Sequence, residues 1–225
     1  MKRTLLSFLL FVTVSLSAKA NNLTIENVAY DQVNGTLTFD ISWENSWNLN
    51  DDYHDAVWVF AKYKAINANE WRPFIFDDNN GNVASFSGND LQFSAKNVGL
   101  MVRSTVQSVI QNNIPTTTVT ISGLSIVGIN PSVKVFGIEM VNVPGGNFYA
   151  GDDSGINRTF DLGIDQSPMF VTDTTTQLFT TGGTGPINLP ENYPVGVDAF
   201  YCMKYEITQG QVVNFLIIIA ERIQK

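Results

Sequence analysis

The residues of this sequence that could take part in acid-base or nucleophilic chemistry are few, and most of them surround one histidine. His54, the only histidine, lies close to Asp52 and Asp55. A histidine oriented by a carboxylate is the general base of hydrolases that use a serine nucleophile. No strand-turn-helix nucleophile motif accompanies it, so the sequence favours a structural histidine at a strand edge over a hydrolase base.

Metal and nucleotide chemistry lacks the required ligands. Only His54 and Cys202 are soft ligands, whereas a closed zinc site normally takes four. The acidic segment 77–82 does not fit an EF-hand calcium loop. Its glycine is at the fifth position instead of the sixth, and Gly88 stands where the loop needs a bidentate glutamate. The segment therefore predicts a hairpin turn. The glycine-rich segment 182–185 lacks the Lys-Ser/Thr pair of a phosphate loop. The sequence therefore predicts no catalytic, cofactor-binding or metal-binding residue.

Two further features concern covalent chemistry. Cys202 is the single cysteine, so it cannot form an internal disulfide, and we expect it to fill the core as a small apolar residue. Asn22, Asn34 and Asn157 each begin an Asn-x-Thr triplet, which is a glycan acceptor only in a host that modifies asparagine.

The first twenty residues have the layout of a cleavable export signal. Lys2 and Arg3 precede the apolar stretch 5–16, and Ala18 and Ala20 form a small-x-small cleavage site. The stretch is shorter than the ~20 apolar residues that span a bilayer. We therefore expect export, with the protein periplasmic, at the cell surface or secreted, and no transmembrane segment.

Composition limits the partners. The net charge is −8, and it becomes −11 without residues 1–20, which carry three basic side chains. Because nucleic-acid affinity comes largely from basic side chains that neutralise phosphates, nucleic acid is disfavoured and protein or glycan partners are expected. The 44% apolar content is enough for a real core in one large domain or two small ones.

Short β-type runs fill residues 21–140, and these strands must position His54 and the aspartates beside it. Residues 37–43 alternate apolar and polar side chains, as a half-buried strand does, and residues 56–64 are apolar almost throughout, which predicts a central strand buried on both faces. Further runs at residues 71–76, 98–103, 117–124 and 133–143 are separated by turn signals such as Asn34-Gly35 and Asn130-Pro131. The prediction is a mainly β fold with a β-sandwich-like module over residues 21–140.

From residue 141 the chain is glycine-rich and irregular, and one helix is predicted near its end. Thr208 and Gln211 have the spacing of a capping box, in which each side chain satisfies the other residue's backbone amide. The helix is expected over residues 209–224, and its apolar character nearly all round calls for burial on several sides.

Two segments in this region carry a family resemblance. Residues 139–151, Glu-Met-Val-Asn-Val-Pro-Gly-Gly-Asn-Phe-Tyr-Ala-Gly, resemble the opening hairpin of the formylglycine-generating, or sulfatase-modifying factor, domain. Residues 193–211, which contain Phe200-Tyr201-Cys202-Met203-Lys204-Tyr205-Glu206-Ile207-Thr208, resemble that family's next strand and helix start. The resemblance covers roughly residues 138–216. Residues 43–63 resemble the β-rich module that precedes such domains in some exported bacterial proteins.

The resemblance implies an irregular α+β domain starting at residue 141, of which residues 141–225 are an incomplete part. Active members oxidise a sulfatase cysteine to formylglycine with a pair of cysteines, copper and oxygen, and calcium supports their fold. Cys202 matches neither catalytic position, so no catalytic residue and no cofactor is carried over to this chain. Many relatives lack the pair and use the fold for binding or assembly.

The family pattern breaks at Leu216, which leads us to expect the N-terminal part of a longer protein, without catalytic activity by itself. Two alternatives stay open. One is a β-sandwich binding module that holds a glycan or a protein partner through Trp43, Trp47, Trp58 and Trp71, although aromatic residues also supply much of a sandwich core. The other is an oxidase completed by a second polypeptide.

Overall fold

The structure is a computed structural model that describes residues 22–76, 83–88, 90–95, 97–150, 169–173, 175, 177–178, 187–188, 190 and 196–213. The described residues form these strands: β1 (Thr24–Asp31), β2 (Thr36–Asn48), β3 (Asp55–Lys64), β4 (Arg72–Pro73), β5 (Val83–Phe86), β6 (Leu91–Ala95), β7 (Leu100–Ser104), β8 (Ser108–Ser122), β9 (Ser132–Val143), β10 (Phe148–Ala150), β11 (Met169–Val171), β12 (Gln177–Leu178), β13 (Ile187–Asn188) and β14 (Phe200–Met203). The mainly β fold class is confirmed.

The strands form two main antiparallel sheets that share one core. The smaller sheet has the order β1-β2-β8-β5, and the larger has the order β14-β9-β3-β7-β6 with β4 also paired to β3. Two short ribbons, β10-β11 and β12-β13, complete the described strands. Neither main sheet closes into a barrel, and among the described strands β1 and β5 end the smaller sheet while β14 and β6 end the larger.

Alternation along β2 and β3 builds the core between the two sheets. Leu37, Phe39 and Ile41 of β2 are fully buried, and Val57 and Val59 of β3 face the same cluster. Fully burying one such side chain stabilises the fold by about 1.5–3 kcal/mol. The prediction that β3 is buried on both faces was wrong, because its residues 58, 60, 62 and 64 are only half-buried on the outer face of the larger sheet.

Turns and one proline interrupt the strands where backbone chemistry demands it. The predicted turn before β2 is present, and Gly35 has a φ of +62°, a conformation that disfavours other residues. In β8, Pro115 lies where the register with β2 shifts between Ile41 and Trp43. Proline has no N–H for a ladder, so it is tolerated at such an irregularity.

The chain crosses the predicted boundary at residues 140/141 within a single strand. β9 pairs with β3 from Ser132 to Val141 without a break, and β14 then pairs with residues 140–143 of β9. The capping box is confirmed, since the Thr208 amide donates to Gln211 Oε1 (2.9 Å) and the Gln211 amide donates to Thr208 Oγ1 (3.1 Å). Helix is described at residues 209–213.

Several sequence predictions fall outside the described residues. They are the export signal at residues 1–20, the acidic turn at 77–82, the triplet at Asn157, the loop at 182–185 and the helix beyond residue 213. Within the described part of the chain, we find no helix whose length and hydropathy would let it traverse a bilayer.

Candidate functional site

His54 lies just before β3, on the outer face of the larger sheet, where three strands meet. Its ring is 3% exposed. Nε2 lies 2.8 Å from the Tyr201 hydroxyl of β14, and Nδ1 lies 3.1 Å from Arg103 Nη1 of β7. Because a guanidinium can only donate, the Arg103 contact is a hydrogen bond in the tautomer whose Nδ1 accepts and whose Nε2 donates to the Tyr201 hydroxyl.

The electrostatics of this cluster favour a neutral histidine. Burial lowers the pKa of His54 below its usual value of 6.5, and the positive charge of Arg103 lowers it further. Burial also raises the pKa of Tyr201, against the opposing effect of Arg103. A hydrolytic triad needs a carboxylate at Nδ1 to stabilise the imidazolium. A guanidinium in that place does the reverse, so this histidine is not arranged as a general base.

Neither neighbouring aspartate orients His54 as a triad carboxylate would. Asp55 is the next residue of the strand, and successive side chains point to opposite faces. Its carboxylate accepts from Ser46 Oγ (2.9 Å) and from the Trp47 amide (3.1 Å) beneath the sheet. The Asp52 backbone carbonyl accepts from Asn142 Nδ2 (2.8 Å), which ties the loop before β3 to β9.

A buried ion pair lies on the inner side of the same junction. Lys204, which follows β14 directly, places Nζ 2.6 Å from Asp55 Oδ2, and the two side chains are 8% and 2% exposed. Lys204 Nζ also donates to the Asn45 carbonyl (2.8 Å), and Glu139 Oε2 lies 4.0 Å away. A charge buried this deeply is tolerated only when paired, so the pair fixes where β14 ends against the sandwich.

An open cleft of about 340 Å³ borders the histidine cluster. Arg103 lines the cleft and donates from Nη2 to Asp51 Oδ1 (2.6 Å), and this hydrogen bond lowers the pKa of Asp51 below its ordinary value. The cleft is lined by the following residues: Asp51, Asp52, His54, Gln92, Phe93, Ser94, Met101, Arg103, Asn142, Ala199 and Tyr201. Carboxylates, amides, a hydroxyl and a guanidinium thus converge on one concave surface beside an aromatic ring. The lining thus combines charged and neutral polar groups with the apolar side chains of Phe93, Met101 and Ala199.

Sequence reasoning singled out His54 but missed Arg103 and Tyr201. Arg103 ends the apolar run of β7, and a charged side chain within a strand is a sequence signal that could have marked it as a candidate site residue. Tyr201 lies 147 positions after His54, and no local pattern connects residues so far apart.

Cys202 is exposed, so the prediction that it fills the core was wrong. It lies on β14, which is the edge strand of the larger sheet. On the same face of β14, Phe200 is also about half exposed, and Met203 on the other face is exposed to a similar degree.

The four tryptophans occupy different environments. Trp43 is 1% exposed and belongs to the core, and its indole N–H has no hydrogen-bond partner in the described part of the chain. Trp71 is half-buried, and Lys64 and Lys134 place Nζ 5.4 and 5.0 Å from its ring centroid. A Cβ on Gly99 would lie 2.5 Å from Trp58, so glycine makes room for that ring. Trp43 cannot stack on a glycan, whereas Trp47, Trp58 and Trp71 keep partly exposed surfaces.

Among the described residues, no three His, Cys, Asp or Glu side chains lie close enough together to hold a metal ion. Comparison of the chain with protein-family models, with curated proteins and with solved structures finds no match.

Proposed function

We propose that this chain is the exported N-terminal part of a sulfatase-modifying-factor-like protein and that it has no catalytic activity by itself. One observation carries the proposal. The two segments that resemble the family are far apart in sequence, yet residues 140–143 of the first pair in register with Phe200–Met203 of the second. Strands β10 to β13 lie between the two segments in sequence, so the pairing of β9 with β14 is a long-range contact that supports placing both segments in one domain.

The chemistry of the junction supports a non-catalytic role. The family's oxidation uses two cysteines, and this chain has only Cys202. His54 faces Arg103 on one side and Tyr201 on the other, so it is held neutral and is not oriented by a carboxylate. The role that these residues fit is to hold β14 on the sandwich.

The catalytic part of this proposal is tested with the purified chain, copper and a synthetic peptide that carries a sulfatase cysteine motif. Mass spectrometry of the peptide is expected to show no conversion of cysteine to formylglycine. Conversion by the chain alone would overturn the proposal, provided that a Cys202→Ser control abolishes it and so excludes a contaminating oxidase.

The family part is tested separately by reading the gene beyond the Lys225 codon. Coding sequence with the family's later motifs, in any frame, would support it. Unrelated sequence in every frame would remove the support that the two segments provide.

The cleft beside His54 favours a second candidate function, binding of a neutral glycan at the cell surface. Arg103, Gln92, Asn142 and Tyr201 contribute polar side chains to its lining. A few placed polar groups in a concave site are the usual means of fixing a ligand's orientation.

A glycan array followed by titration tests this candidate with two matched variants. Tyr201→Phe removes only the hydroxyl and is expected to weaken binding by about tenfold, the effect of one lost hydrogen bond. Tyr205→Phe makes the same change at an exposed tyrosine outside the cleft and should bind like the wild type. Equal affinity of all three proteins, or no bound glycan, would contradict binding in this cleft.

A further inference from the structure

One edge of the larger sheet is open along the first half of β9. β14 covers only residues 140–143 of that strand, and the Lys204 amide adds one more hydrogen bond, to the Glu139 carbonyl (2.9 Å). Residues 133–137 of β9 pair with β3 on one side, and no strand of the described chain pairs with them on the other. The same edge therefore accepts a strand at one end and presents an unpaired stretch at the other.

The hydrogen-bond alternation identifies which backbone groups are free. The Asn142 amide donates to the His54 carbonyl (3.0 Å), so even-numbered residues of β9 bond to β3. Odd-numbered residues point the other way, as the Lys204 bond to Glu139 shows. Val133, Val135 and Gly137 thus direct N–H and C=O groups to the open edge. Among described groups, only Gln211 Nε2 approaches them, at 3.5 Å from the Gly137 carbonyl.

An apolar groove of about 330 Å³ runs beside these backbone groups. Leu23, which precedes β1, and Ile25 of β1 line it on the inner side, and Ile207 also lines it. A Cβ on Gly137 would lie 2.9 Å from Ile25 Cδ1 and 3.0 Å from Leu23 Cδ2, so glycine lets this wall approach the edge. Alternate side chains of an added strand would therefore enter an apolar environment.

The outer face beside the same edge carries one lysine and one aromatic ring of β9. Lys134 is the cross-strand partner of Lys62 of β3, and at the next outward position Phe136 stacks on Phe60 of β3. An acidic side chain of an added strand beside Lys134 would be attracted to it, because opposite charges across a ladder are favourable.

We propose that the open edge of β9, residues 133–137, binds an extended peptide with apolar residues on one face and an acidic residue on the other. The peptide adds a strand to the larger sheet, where backbone hydrogen bonds supply affinity and the two faces supply specificity. Its apolar residues face Leu23 and Ile25, and its acidic residue lies beside Lys134. A second copy fits less well, because antiparallel pairing about Val135 places the two Lys134 side chains at diagonal positions on one face.

Fluorescence polarisation with two labelled peptides tests the proposal on the full chain. In the first peptide valine alternates with glutamate, and in the second valine alternates with lysine. The glutamate peptide is expected to bind more tightly. Val135→Pro removes an outward N–H that β3 does not use. We expect it to weaken peptide binding by about tenfold or more, because one edge hydrogen bond is lost and the proline ring blocks the approaching strand.

A charge reversal keeps the test decisive if the proline variant folds poorly. Lys134→Glu changes a half-buried side chain on the outer face and should reverse the preference, so that the lysine peptide binds more tightly by about threefold. Lys62→Glu makes the same change one strand farther from the peptide and should have a smaller effect. Circular dichroism of each variant checks the fold.

Each outcome decides the proposal. No binding of either peptide, or binding that neither Val135→Pro nor Lys134→Glu alters, overturns it. Analytical sedimentation can show that the free chain self-associates. If Val135→Pro abolishes that association, the edge binds a second copy of the chain, and the proposal of a peptide partner is overturned. A reversed peptide preference in Lys134→Glu supports the proposal, because general destabilisation would weaken the binding of both peptides without changing which one binds more tightly.

Discussion

The interior of the sandwich and the junction that holds β14 differ in the side chains that stabilise them. Between the sheets the contacts are apolar, with Phe39, Val57 and Phe74 fully buried. At the junction, Lys204 pairs with Asp55 and His54 bonds to Tyr201, while Phe200 and Met203 of β14 stay about half exposed. Apolar packing tolerates small displacements, whereas ion pairs and hydrogen bonds depend on position. The sandwich interior therefore supplies stability, and the junction fixes the position of one strand.

The largest effect is expected from a cavity in the interior. Phe39→Ala removes a fully buried ring between the sheets and should lower the free energy of unfolding by about 3–5 kcal/mol. Urea unfolding followed by tryptophan fluorescence measures the change. Val33→Ala, at a side chain that is 94% exposed, is the control and should leave the midpoint where it is. A small loss for Phe39→Ala would show that the two sheets are less tightly packed than described.

The next effect separates the junction from the interior. Lys204→Ala leaves the Asp55 carboxylate buried without its cation and should cost about 3 kcal/mol. Because β14 lies at the sheet edge, we expect hydrogen exchange at residues 200–203 to lose protection before exchange in β3 does. Lys134→Ala changes a lysine at the other end of β9, outside the stretch that pairs with β14, and should leave β14 protected. Equal loss of protection in β3 and β14 would mean that the junction is part of the cooperative core.

The histidine at the junction gives stability a dependence on pH. Burial and Arg103 lower the folded-state pKa of His54, so the unfolded state binds more protons and stability rises with pH. The contribution is complete above the ordinary value of 6.5 and is lost as the pH falls from there towards the folded-state pKa. The slope for one group is at most about 1.4 kcal/mol per pH unit.

Chemical unfolding at several pH values between neutral and mildly acidic checks this, with His54→Gln as the comparison. The variant should lose the slope in that window. Asp31, Asp40 and Asp51 have pKa values held below 3.8 by hydrogen bonds, so their contribution is lost only in stronger acid. A slope that His54→Gln retains would assign it to another group.

The smallest effect is expected at the rim of the cleft. Asp51 is 92% exposed, and water and salt screen its attraction to Arg103. Asp51→Asn should therefore leave the urea midpoint unchanged within error. A clear loss of stability would mean that Asp51 holds Arg103 against His54. The polar contacts that position β14 would then include this exposed residue.

Local patterns predicted much of the fold. The alternation at residues 37–43 predicted β2, the apolar run at 56–64 predicted β3, and the Thr208/Gln211 spacing predicted the capping box. These signals are local because the strand period and the first helical turn depend on a few successive residues. The patterns missed β5 and β6, because short strands at sheet edges contain mixed polar residues without a clear period.

The candidate site could be predicted only in part. The sequence identified His54 and Asp55 as neighbours, yet strand alternation puts their side chains on opposite faces, and each takes its partner from a distant segment: Tyr201 for His54, Lys204 for Asp55. The exposure of Cys202 also depends on β14 being the edge strand. The sequence by itself therefore determined the β periodicity, the acidic charge and the absence of a cysteine pair, which follow from residue type and spacing. The tertiary structure alone decided the neutral histidine, the buried ion pair and the open edge of β9, because these depend on which distant strands become neighbours.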